Sequence, residues 1–130
     1  MGQVTVFRRF LWHWLPPLVW MGAIFFLSSQ SDLPHAPEPW FDVLLKKTAH
    51  AVAFGLLAWL YRRALSGHAS ATAAVRLASA GLAILYGASD EFHQTFVPGR
   101  NGQLFDVGVD AAGVCGLEIS RPDKFVSCYV

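Results

Sequence analysis

Between Ser89 and Asp106 the chain reads SDEFHQTFVPGRNGQLFD. Two adjacent carboxylates, an imidazole, an amide and a guanidinium fall within this one short stretch. A guanidinium grips phosphate or carboxylate with two parallel donors, which a lysine cannot do. Carboxylates beside imidazoles support general acid–base chemistry or, around a divalent ion, the activation of water. Helical spacing selects the groups that can act together. Asp90 lies three residues from His93 and four from Gln94, Lys47 three from His50, and Asp106 four from Asp110, so each pair shares a helix face. Glu91 is turned about 100° from Asp90 and is expected to fall outside such a cluster. Ser28, Ser29 and Ser89 are close in register, yet no hydroxyl stands out as an activated nucleophile.

The charges also need partners. Carboxylates at a helix C-terminus oppose the macrodipole. Asp90 and Glu91 follow a long apolar run and therefore call for cations, with Lys47, Arg100 and protonated His50 or His93 as candidates. Asp110 sits a turn inside the next segment, where a charge facing lipid costs a few kcal/mol, so it should face the bundle interior. Lys46 is expected in the solvated collar. No HExxH-type spacing is present. No metal set and no cofactor are assigned.

Composition decides what surrounds these groups. Of 130 residues, 54% are hydrophobic and 15% charged, with a mean hydropathy of +0.38. A soluble domain of this size needs more charge to cover its surface. A formal net charge of +1 gives no electrostatic basis for binding nucleic acid. Cys115 and Cys128 have neither metal-type spacing nor the pattern of a disulfide framework. The reading is one all-α domain, residues 1–130, folded as an integral membrane bundle of about four helices.

A membrane span needs roughly 20 mostly apolar residues. The candidates run from about Phe10 to Ser28, Asp42 to Tyr61 and Ala71 to Ser89, with a fourth beginning near Phe105. Arg8-Arg9 before the first run resembles a signal peptide, but without a clear cleavage site it reads as a retained helix. Pro16-Pro17 should kink that helix or delay its regular part. The fourth segment loses its apolar character by Ile119 and is expected to be short or incomplete. Small residues recur every four positions: Ala51 and Gly55; Ser79, Ala83 and Gly87; Gly108, Ala112 and Gly116. Such stripes let membrane helices approach closely. Trp12, Trp14, Trp59 and Tyr61 are expected in an inner aromatic belt, Trp40 and Phe41 in an outer one. His13, His35 and His68 receive no role.

FFLSSQ, KKTAHAVAFGLLAWL and SDEFHQTFVPGRNGQLFDVGVDAAGVCG together resemble the VanZ-like family of small bacterial membrane proteins. The resemblance covers about residues 25–116. Its motif positions fall on Lys47, His50, Asp90, Glu91, His93, Gln94, Pro98, Gly99, Arg100, Asp106 and Asp110. It implies a multi-pass plasma-membrane protein, in a family whose founding member is associated with teicoplanin resistance. Family members usually continue an apolar helix past the glycine matched by Gly116. Here the tail, residues 117–130, turns polar.

Three functions are open at this level. A site built from Lys47, His50, Asp90, Glu91, His93, Gln94, Arg100, Asp106 and Asp110 could bind an anionic lipid headgroup or a lipid-linked, cell-wall-related ligand. The same groups could form an acid–base or metal-dependent enzyme. They could also only lock a structural or partner-binding bundle, since buried ionic groups can specify register.

Lysine and arginine placement orients the chain. With the N-terminus inside, Arg8, Arg9, Arg62, Arg63, Arg76, Arg121 and Lys124 are cytoplasmic, and only Lys46, Lys47 and Arg100 are outside. Both termini are therefore expected in the cytoplasm, with His93 and Arg100 on the outer face. A cysteine placed at position 100 should react with an impermeant thiol reagent in intact cells. Labelling only after membrane disruption overturns this orientation.

Overall fold

A computed structural model describes residues 2–31, 34, 36–67, 72–99, 108, 111 and 112. The described residues are all-α, with α1 spanning Gly2–Ser28, α2 Pro39–Ser66 and α3 Ala73–Gln94. Of these, α1 and α2 are long and apolar enough to cross a membrane. The third helix carries Arg76 at its start and Asp90 and Glu91 at its end. Of the expected fourth segment, Gly108, Ala111 and Ala112 are helical, and the rest lies outside the described residues.

Pro16 and Pro17 lie inside α1 and do not delay it, because the helix already begins at Gly2. Each proline removes one N–H from the ladder. At the far end the last carbonyls are held by side chains. Ser29 Oγ donates to Phe25 O at 2.8 Å and Gln30 Nε2 to Phe26 O at 3.3 Å. Helix α2 opens with Glu38 at the N-cap and Pro39 in the first turn, where the missing N–H is no loss. Thr72 caps α3 by accepting from Val75 N at 3.4 Å.

The helix α2 packs against both neighbours, most extensively against α3. Its buried face combines Phe54 and Leu57 with the small residues Gly55, Ala58 and Ala64. The facing residues of α3 are Ser79, Ala83 and Gly87, all buried. The expected stripe on α3 is thus the surface that lets the two backbones close up. The pair on α2 is extended by Ala58 and Ala64. On the fourth segment Gly108 and Ala112 are exposed, so the stripe expected there does not form a packed contact at these positions.

Aromatic groups with polar tips pin α1 to the other two helices. Trp20 Nε1 donates to Ala53 O at 2.9 Å, and Tyr86 OH to Met21 O at 2.6 Å. Tyr61 OH reaches Met21 Sδ at 2.9 Å. Tyr61 is buried, so it belongs to the core and not to the expected interfacial belt. Its hydroxyl finds a partner on α1, which removes any need for the interface. Trp12 and Trp40 remain exposed, as a belt requires.

At the end where α2 finishes, Gly67 meets α1. A Cβ on Gly67 would lie 2.5 Å from His13 Cδ2, and the His13 ring is held through Nδ1 near Arg9 O at 2.7 Å. Gly67 has φ −62°, so alanine there meets no backbone strain. Gly67→Ala should lower thermal stability in detergent by about 1 kcal/mol, the usual scale of an overpacked contact. His13→Ala should recover most of that loss in the double variant. An additive double variant contradicts the contact.

Candidate functional site

Ser28 ends α1, one residue before the capping Ser29, so its own hydroxyl turns about 100° away from Ser29 and into the bundle. It meets the last turns of α3. Asp90 and Gln94 continue the buried face that begins with Ser79, Ala83 and Gly87. The last turns of that face lie within hydrogen-bond reach of the end of α1.

Ser28 Oγ donates to Asp90 Oδ2 at 2.7 Å, and Gln94 Nε2 donates to the same oxygen at 3.0 Å. Gln94 Nε2 also lies 3.3 Å from Ser28 Oγ, closing a triangle. An ionised carboxylate only accepts, so the amide presents its nitrogen. All three residues are at most 5% exposed. Asp90 Oδ1 is buried without a hydrogen-bond partner among the described residues.

His93 lies on the same side, its ring tilted against Phe25 of α1 with centroids 4.5 Å apart. Its Nδ1 is likewise buried without such a partner. Glu91, only 5% exposed, is buried as fully as Asp90. The angular offset between them does not keep Glu91 in solvent, because α3 is embedded on more than one side here.

On α2 the charged and imidazole side chains beside α1 are those of Lys46 and His50. The cavity between α1 and α2 has a volume of about 220 Å³. It is lined by Ser28, Lys46 and His50 together with apolar residues including Ile24, Leu27 and Phe54. Lys46 and His50 are four apart and share the face toward α1, whereas Lys47 is turned away from Lys46 by about 100°. Lys47 is half-buried and does not line the cavity. Nor is Lys46 a free member of a solvated collar. Its Nζ donates to Asp42 Oδ2 at 2.6 Å, and Asp42 Oδ1 accepts from Ala36 N at 2.9 Å. This i, i+4 pair ties the α1–α2 connection to the first turns of α2.

Beyond α3 the expected Pro98-Gly99 turn is present, with Gly99 at φ +80°, a conformation that glycine adopts without strain. A Cβ at Gly99 would stand 3.8 Å from Ser31 O. This turn therefore lies beside the connection that follows α1. Arg100, Asp106 and Asp110 lie outside the described residues, as do His35 and His68. Among the described residues no three His, Cys, Asp or Glu side chains come together as metal ligands.

The structure thus joins Asp90 and Gln94 directly, sets His93 beside them, and links them to His50 through Ser28, which belongs to both the triangle and the cavity. Ser28, Asp42 and Lys46 are the additions to the expected set. The i, i+4 series Asp42, Lys46, His50 was readable in the chain. The role of Ser28 was not, because serines at helix ends usually bond their own backbone.

These features define a small helical membrane protein with a polar cluster at one end of its bundle. The chain belongs to the VanZ-like family, as the family model described as VanZ/LLP1 matches residues 10–116. The match begins before the motif-bearing part expected from residue 25 and ends at the same glycine. No curated protein and no solved structure is significantly similar to the chain.

The triangle can be tested by a double-variant cycle. Ser28→Ala and Asp90→Ala should each destabilise the protein, and together by less than their sum. Interhelical hydrogen bonds in membrane proteins show couplings of about 0.6–1.7 kcal/mol. Strict additivity of the two losses excludes a working Ser28–Asp90 bond.

Proposed function

We propose that the polar end of the bundle binds a phosphate- or carboxylate-bearing ligand at the outer leaflet of the bacterial plasma membrane, an anionic headgroup or a lipid-linked, cell-wall-related molecule. The observation that carries this reading is the convergence of Ser28, Lys46, His50, Asp90 and Gln94, drawn from three helices, at one end of the molecule. Lys47 supplies a further charge on α2, and Arg100 follows the Pro98-Gly99 turn in sequence. In this proposal Arg100 grips the anion as a fork, while Asp90 and its partners hold the helix ends in register. Asp106 and Asp110 orient the cations from the fourth segment. The termini are cytoplasmic, which puts the site on the outer face. Occupancy of such a site by a cell-wall-related ligand would alter teicoplanin sensitivity without destroying the drug.

A second reading has one observation of its own. Asp90 Oδ1 and His93 Nδ1 are buried without hydrogen-bond partners among the described residues. Two such groups on one helix face suit proton transfer, and this favours an acid–base enzyme over a purely structural bundle as the alternative.

Arg100→Lys and Glu91→Gln separate the two. With both variants at equal membrane abundance, Arg100→Lys should weaken retention of an anionic lipid about tenfold, the scale of one charge-assisted hydrogen bond. In this proposal it also shifts teicoplanin susceptibility. Glu91→Gln, nearly isosteric, should stay close to wild type. A dead Glu91→Gln beside a near-normal Arg100→Lys defeats anion binding and supports acid–base chemistry.

A further inference from the structure

The end of the bundle opposite the Asp90 cluster carries charge of one sign. Arg8 and Arg9 stand on α1, Arg62 and Arg63 in the last turns of α2, and Arg76 in the first turns of α3. The chain has no Asp or Glu from residue 1 to 31 or from 43 to 89, so α1, α2 and α3 bring no carboxylate to this end. Arg8, Arg9 and Arg63 are exposed and form no ion pair among the described residues. The contact between His13 and Gly67 fixes how they stand. Arg9 lies one turn before His13 and Arg63 one turn before Gly67, so both arginines flank the seam where α1 meets α2.

A cavity lies beside them. Its volume is about 660 Å³, and the described residues that line it are Val4, Thr5, Arg8, Arg9 and Trp12. This falls within the roughly 300–1,000 Å³ of small-molecule sites. Val4, Arg8 and Trp12 follow one another at four-residue spacing, so one face of α1 offers an apolar group, a guanidinium and an indole. Depth selects the class of ligand. About 20 residues cross the hydrocarbon layer of a membrane. Counted back from Ser28 they end at Arg8, and counted forward from Asp42 they end at Arg62. Both helices thus bring their arginines to the headgroup layer, where Trp is enriched. Phe7, Phe10 and Leu77 are exposed on the neighbouring turns, which suits a lipid and not a soluble polyanion.

We propose that this cavity seats the phosphate headgroup of an anionic phospholipid. The Arg8 and Arg9 guanidiniums take the phosphate oxygens as planar forks, Arg63 adds charge across the seam, and Trp12 packs beside the glycerol. Each basic residue near a membrane surface favours anionic lipid about fivefold, and here no carboxylate from the three helices offsets that preference. The inference goes beyond the anion-binding reading above, because no residue of the Asp90 end takes part in it.

The test reconstitutes the full chain in symmetric vesicles of phosphatidylglycerol and phosphatidylcholine. Each lipid in turn is doped with an analogue bearing a photoreactive headgroup, and adducts are mapped by mass spectrometry. Phosphatidylglycerol should label the first turns of α1 about tenfold more than phosphatidylcholine does. Arg8→Gln combined with Arg9→Gln should abolish that excess. Symmetric vesicles present the same lipids to both ends, so a reversed orientation cannot mimic the loss. On the wild-type protein, raising salt from about 0.1 M to about 1 M shortens the Debye length from about 10 Å to about 3 Å and should erase most of the excess without any substitution. Equal labelling by the two lipids, or an excess that survives the double substitution or the salt, overturns the proposal. Displacement of the lipid label by inorganic phosphate makes this a site for a free anion and overturns the lipid occupant. Arg100→Lys should leave the label on α1 unchanged, and a loss there overturns a seat separate from the Asp90 end.

Discussion

The buried carboxylate of Asp90 is the constraint around which the polar end of this molecule is built. It is 3% exposed at the end of α3. A charged aspartate in a membrane segment costs a few kcal/mol. Hydrogen bonds to a charged group contribute about 1.5–3 kcal/mol each, so two donors together supply about as much as that cost. Ser28 and Gln94 are those donors. Gln94 comes from the same helix at four-residue spacing, but Ser28 belongs to α1. Satisfying Asp90 therefore fixes how α1 stands against α3.

That bond is possible only because of the apolar packing beneath it. Ser79, Ala83 and Gly87 present almost no side chain to α2, and Phe54 and Leu57 fill the space between. Without a hydrophobic driving force between helices in lipid, close contact and interhelical hydrogen bonds do the holding. Trp20, Tyr61 and Tyr86 supply such bonds across the bundle's middle. The polar end is thus the last layer of an ordered stack. Its geometry is inherited from residues several turns away.

The two ends of the α1–α2 pair are built differently. At the end bearing Gly67 and His13, a ring packs directly on a glycine backbone. At the opposite end a cavity lies between the helices, and Asp42 ties Lys46 to the connection before α2. This difference gives the chain a tight end and an open one. The cavity with Ser28 and His50 lies at the open end, where the cluster also lies.

Much of this was legible in the chain. Long apolar runs specify helices in a membrane, because every backbone group must be satisfied inside its own segment. The pairing of Asp90 with Gln94, the packing stripe on α3 and the turn at Pro98-Gly99 follow from local spacing and from the conformational freedom of glycine. Membership of the VanZ-like family was visible in motifs that the family model matches. Tertiary structure decided what spacing cannot reach. It chose Ser28 as the partner of Asp90, buried Glu91 despite its offset, and put Lys46 instead of Lys47 beside the cavity. It also drew Tyr61 into the core. Each of these depends on the rotation of one helix about its axis relative to another. Periodicity states which residues share a face, but the neighbour which that face meets is set by packing between helices far apart in sequence.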